Sequence, residues 1–136
     1  MLKESIICIA ILTSIFIGNY CTQNYTKTSV TELSNMLDNL EEVVEENINH
    51  ETEKEEQENI VKNKSQELYN NWKQRYAKLA YFIEHDELEK VESEIVSIKG
   101  NINVEEYGEV ESQIEKTKFI LKNIEEKYKF NLQNIF

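Results

Sequence analysis

The chain has 136 residues with 30% charged, a formal net charge of −11, two Cys, three Gly and no Pro. That length bounds it to one modest domain, and a charge of that sign excludes a nucleic-acid partner and a polybasic clamp on anionic lipid. Few turn residues are present to punctuate short strands, so the expected fold class is all-α: one N-terminal transmembrane helix, then an elongated antiparallel helical hairpin or bundle of about four helices.

Ile6 to Ile17 reads IICIAILTSIFI, an unbroken run of apolar and small residues preceded by Lys3 and the amino terminus. Extended to Tyr20, the segment approaches the ~20 residues that a bilayer core asks of a helix. A cleaved signal peptide is the rival, but cleavage wants small residues at the last and third-last positions before the cut. Gly18-Asn19-Tyr20 and the triplets after it lack them, and Gly18, Asn19 and Tyr20 do not make Cys21 a lipoprotein acceptor. Residues 1–22 are therefore expected to be a membrane anchor or uncleaved signal sequence, meeting the membrane through residues 5–21. Residues 23–136 are expected to be an extracytoplasmic helical domain of a single-pass cell-membrane protein. Lys3 and the free amine favour that orientation and Glu4 opposes it.

Beyond the anchor, Val30, Leu33, Leu37, Leu40 and Val44 step by three and four, a narrow coiled-coil-like seam. With no Pro between them, anchor and seam can run on as one rod, although the polar, β-branched stretch Thr22–Ser29 allows a hinge. From Glu41 to Glu58 there are nine Glu against one Lys, with His50 in the middle. Such a run reads as the solvated tip of a helical hairpin, turning near Asn47 to Thr52, with divalent-cation binding by the 41–58 tract as the alternative. It holds no EF-hand loop, and neither histidine stands in a Glu-x-x-His pair.

A second helix is expected from about residue 53 to 84, and its later part is the hub of the chain. Leu68, Trp72, Tyr76, Leu79 and Ile83 recur at helical spacing, widened by Tyr69, Ala80 and Phe82, and the only Trp and the only Arg lie here. A stripe this broad suits a helix with neighbours on two sides. Trp72, Tyr76, Phe82 and Ile83 are the candidate packing or partner hub. The rival to a buried Trp72 is an exposed binding anchor in cation–π contact with Arg75.

Asp86 with Glu89 reads as a capping box, so a helix should end near His85 and another begin, carrying Leu88, Val91, Ile95, Ile98 and Ile102. Lys99-Gly100-Asn101 should stop it, and Asn103 with Glu106 repeats the capping pattern. The last helix carries Tyr107, Val110, Ile114, Thr117, Leu121, Ile124 and Tyr128, and the apolar 130–136 (FNLQNIF) reads as a tail folded onto the bundle.

The side chains of catalysis are missing from this pattern. No Gly-rich loop cradles phosphate, and no His-Glu-x-x-His or paired Cys holds zinc. Glu84, His85, Asp86 and Glu87 form one compact polar cluster, which reads as a capped turn or, alternatively, as a cation site. No catalytic residue, cofactor or metal is expected.

Trp72, the stretch Phe82 to Glu92 (FIEHDELEKVE) and the closing residues 130–136 resemble those of a small bacterial family, domain-of-unknown-function family 4363. The similarity runs in order over nearly the whole chain and is weakest in the 41–58 tract and the Tyr20–Ser29 linker. It implies short proteins, chiefly of spore-forming Firmicutes, with one N-terminal hydrophobic helix and a helical remainder, and it implies no activity. The function expected is a membrane-anchored, non-enzymatic protein-interaction module of the cell envelope with an envelope protein as partner. The alternative is a sensor or ligand-binding ectodomain with a pocket at Trp72, Tyr76 and Phe119.

Overall fold

Helix α1 runs without a break from Leu2 to Asn49, 48 residues, or about 72 Å at 1.5 Å per residue. Anchor and seam are thus one rod in this computed structural model, which describes residues 2–49 and 54–129. The hinge allowed at Thr22–Ser29 does not form, for a local reason. The Thr22 and Thr26 hydroxyls donate to the carbonyls of Asn19 and Thr22, each at 2.9 Å, and Gln23 Nε2 donates to Asn19 Oδ1 at 3.1 Å. Side chains that often compete with a helix here bond within it. Thr26 and Ser29 are also buried, so bundle packing holds this stretch helical.

The bundle part of α1 buries Thr26, Val30, Leu33, Leu37, Leu40, Val44 and Asn47, an alternation of four and three residues sustained over three heptads. Helix α2 (Lys54–Leu79) runs back along it and buries Val61, Ser65, Leu68, Trp72 and Leu79. Helix α3 (His85–Asn103) buries Leu88, Val91, Ile95, Ile98 and Ile102, and α4 (Val110–Lys127) buries Val110, Ile114, Thr117, Leu121 and Ile124. Each helix packs on the two beside it in the ring α1–α2–α3–α4, which closes through α1 and α4. The result is an up-down-up-down four-helix bundle. Each fully buried Leu or Ile contributes roughly 1.5–3 kcal/mol through lost apolar surface.

Several junctions differ from the sequence reading. The second helix ends at Leu79, not near His85, and residues 80–83 form the turn, with Phe82 N–H and Ile83 N–H both donating to Leu79 O at 3.0 and 2.9 Å. Ala80 accordingly faces solvent and adds nothing to the hub's apolar side. Helix α3 does not stop at Gly100. It continues to Asn103 because another turn carries Ile102 into the core at 0% exposure. It ends in a Schellman arrangement: Glu106 N–H donates to Asn101 O at 2.9 Å and Glu105 N–H to Ile102 O at 3.2 Å. The left-handed position this requires falls on Glu105, at φ 61°.

Asp86 and Asn103 cap nothing. Asp86 lies in the first turn of α3 behind Glu84, and Asn103 is the last residue of the same helix. Tyr107 belongs to a short 3-10 turn, Tyr107–Glu109, ahead of α4. The turn expected at Asn47 to Thr52 lies partly outside the described residues, although α1 itself continues through Asn49. His50 and the tail 130–136 also lie outside them.

Candidate functional site

The hub occupies the half of α2 nearest the anchor, because α2 descends antiparallel to α1. Trp72 is fully buried and Ile83 is 4% exposed, whereas Tyr76 and Phe82 are half-buried. The rings of Trp72 and Tyr76 meet edge to face at 5.7 Å, and Tyr76 meets His85 in the same way at 5.7 Å. Phe82 packs separately, edge to face against Tyr25 of α1 at 6.4 Å. Of the four residues singled out from sequence, Trp72 and Ile83 belong to the core and Tyr76 and Phe82 pack against its margin. The indole Nε1 is buried without a hydrogen-bond partner, a cost that the large apolar ring offsets.

Arg75 does not pair with the Trp72 ring. It lies three residues beyond Trp72, on the seam that faces α1, and its guanidinium donates to Ser29 Oγ at 3.1 Å, to Asn71 Oδ1 at 2.6 Å and to Glu32. With its side chain 15% exposed, this cation ties the two long helices together at the base of the bundle. Farther along, Lys118 of α4 binds Asp38 at 2.6 Å and Glu41 at 3.6 Å on α1, and Glu115 at 2.7 Å. The Asp38 and Glu115 hydrogen bonds raise the Lys118 pKa. Burial raises that of Glu41, and Lys118 partly opposes it.

The junction between α2 and α3 is fastened by α4. Tyr128 Oη accepts the backbone N–H of Glu84 at 2.9 Å, and Lys127 Nζ reaches Glu84 at 2.8 Å and Glu87 at 3.3 Å. The Glu84 hydrogen bond raises the Lys127 pKa. These contacts bear on the polar cluster Glu84, His85, Asp86 and Glu87. Three of its carboxylates, those of Glu84, Asp86 and Glu87, bring ligand atoms within 4.8 Å of one another. Lys127 and Lys90 offset two of those three charges, Lys90 lying 3.8 Å from Asp86 and 3.4 Å from Glu87. His85 lies apart from the carboxylate trio, 2.9 Å from Tyr76 Oη through Nδ1 and 3.1 Å from Glu89 through Nε2.

Phe119 does not join the hub. It is 65% exposed on α4 while Trp72 is 0% exposed, so the two do not line a common pocket.

At the other end of α1, Ile6, Ile7, Ile9, Ile11, Leu12, Ile15, Phe16 and Ile17 are 55–63% exposed, all around the helix. The two hydroxyls in this run are turned inward on the backbone, Thr13 to Ile9 O at 2.8 Å and Ser14 to Ala10 O at 2.9 Å. That removes their polarity from the apolar surface, as a lipid environment requires. Length and composition make α1 capable of crossing a membrane.

Fold and site define a class: an antiparallel four-helix bundle whose first helix projects beyond it as an apolar rod. The chain belongs to the family described as Domain of unknown function (DUF4363), whose pattern matches residues 20–135. The match takes in the whole bundle and begins as the apolar run ends. No curated protein and no solved structure matches the chain.

Proposed function

We propose that the protein is anchored in the cell membrane by the first twenty or so residues of α1 and presents its bundle on the extracytoplasmic side as a non-enzymatic interaction module of the cell envelope. The observation that carries the anchor is the all-round exposure of Ile6 to Ile17 on a helix whose continuation is tightly packed. An apolar helix without a protein neighbour on any side has lipid as its natural solvent. Lys3 on the short side of the span supports the orientation. An interaction role is supported by the surface. The hub is spent on the core, and the ionic contacts that join the helices tie them together along the length of the bundle. This makes a rigid stalk suited to holding a partner at a fixed distance from the membrane.

Three measurements test this. Carbonate washing of membranes should leave the chain in the pellet, and release into the wash contradicts the anchor. In a Cys8→Ala, Cys21→Ala background, a cysteine at the exposed Glu45 should react with a membrane-impermeant maleimide in intact cells. Reaction only after lysis would reverse the orientation. Crosslinking in intact membranes followed by pull-down should recover an envelope protein, and recovery of none counts against the interaction role.

A further inference from the structure

Between the first bundle turns of α1 and the end of α4 lies a cavity of about 300 Å³ lined by Tyr20, Gln23, Asn24, Lys27, Tyr128 and Lys129, at the lower limit of small-molecule sites. Its depth is set by the anchor. A hydrocarbon core of ~30 Å takes up about 20 helical residues, and the headgroup layer beyond it, about 5–7 Å thick, takes up four or five more. With the apolar span at residues 5–21, a little shorter than that length, the core ends near Cys21, and the α1 wall of the cavity stands at headgroup level. Tyr20 and Tyr128 both line the cavity, at the level where aromatic rings with a polar tip concentrate in membrane proteins.

The charges point the same way. In a chain of net charge −11, cations that join the helices are paired with carboxylates, as Arg75, Lys118 and Lys127 are. Lys27 and Lys129 have no ion-pair or ring partner among the described residues, and both line this one cavity. The opposing carboxylate on its wall is Glu125. Two cations against one carboxylate leave a single net positive charge, which matches one phosphodiester.

We propose that this cavity holds the phosphate of one anionic phospholipid headgroup, with Lys27 and Lys129 as its ligands and the Gln23 and Asn24 amides beside them. The proposal rests on the anchor assignment, which sets the depth. A lipid held there would fix the rotation of α1 about the membrane normal and the tilt of the bundle on its rod. It also accounts for a cationic pair at the base of an acidic protein.

The test uses the full chain in neutral detergent micelles, titrated calorimetrically with short-chain phosphatidylglycerol, short-chain phosphatidylcholine and glycerol 3-phosphate. Saturable binding of one phosphatidylglycerol is expected, weakened about tenfold by Lys27→Ala or Lys129→Ala and strengthened about threefold by Glu125→Gln. Lys64→Ala, on α2 in the membrane-distal half, should change nothing. The proposal is overturned by absence of saturable binding, by equal binding of phosphatidylcholine, or by equal loss in Lys64→Ala. Glycerol 3-phosphate binding as tightly as the lipid would assign the cavity to a soluble anion and overturn it too. Micelle binding does not require a bilayer, so the two claims fail separately. A pelleted chain that binds no phosphatidylglycerol loses the headgroup site alone, and a chain released by carbonate loses the anchor.

Discussion

The two parts of α1 both carry large aliphatic side chains and have opposite surroundings. From Ile6 to Ile17 the large apolar residues are 55–63% exposed, and from Val30 to Val44 the seam residues are 0–7% exposed. The helix is continuous between them, so helix propensity does not separate the parts; the pattern does. Where apolar residues recur every three and four positions with Glu, Asn and Ser between them, one stripe is apolar and protein neighbours cover it. Where they surround the helix, no set of two neighbours can cover them, and such a helix is one that could cross a membrane. Period reports how much of the circumference an environment must accommodate.

Substitutions break this comparison in a graded order. Trp72→Ala should be the most damaging, costing roughly 3–5 kcal/mol in chemical unfolding of the bundle, because a fully buried indole leaves a large cavity. A variant of unchanged stability that had lost a partner would make Trp72 a binding residue instead. Next, Leu37→Ala should cost about 2–5 kcal/mol, whereas Ile11→Ala, on the same helix, should stay within about 0.5 kcal/mol. Equal losses would mean that the apolar run packs against protein. Glu105→Gly should stabilise the bundle by about 1 kcal/mol, since Glu105 holds a left-handed φ of 61° that glycine adopts without strain.

The smallest effect is on the alkaline side. The folded-state pKa of Lys118 is raised above 10.5 by its Asp38 and Glu115 hydrogen bonds. Its contribution is therefore fully present below pH 10.5 and lost as pH rises through the folded value. Burial raises Tyr107 above its ordinary 10.0, so the unfolded phenol ionises first and stability falls in the same direction. Lys118→Met should make the decline above pH 10 shallower and cost about 1 kcal/mol or less at neutral pH. Glu41 runs oppositely. Burial raises its folded pKa above 4.5, so its ionised form costs stability above that folded value, and the cost disappears below pH 4.5.

The bundle was legible in the sequence because its seams are regular. Leu88 to Ile102 and Val110 to Ile124 are buried where the spacing put them. The ends of the helices were not, because tertiary bonds, core burial and a backbone cap centred on Glu105 rather than on a glycine set them. The start of α3 is fastened by Tyr128 and Lys127, 44 and 43 residues away from Glu84, which no local motif encodes. Gly100 has the look of a terminator, but Ile102 has a place in the core two residues later, and burial outweighs the ~1 kcal/mol cost of a mid-helix glycine. At the site, the burial of Trp72 followed from its spacing, whereas the engagement of Arg75 with Ser29 and Glu32 needed the pairing of α1 with α2. The groove at Lys27 and Lys129 was invisible for the same reason, since its walls are a hundred residues apart.

The central claim is that one continuous helix passes from lipid into a protein core. A nitroxide scan of single cysteines along α1 in the full chain, reconstituted in bilayers, tests it through accessibility to oxygen and to a water-soluble relaxant. The expected result is high oxygen accessibility at every position from 6 to 17. From 26 to 47, protection should recur every three to four residues, deepest at Leu33, Leu37 and Leu40. A three-to-four periodicity already present between 6 and 17, or strong contact there with the water-soluble relaxant, would contradict it.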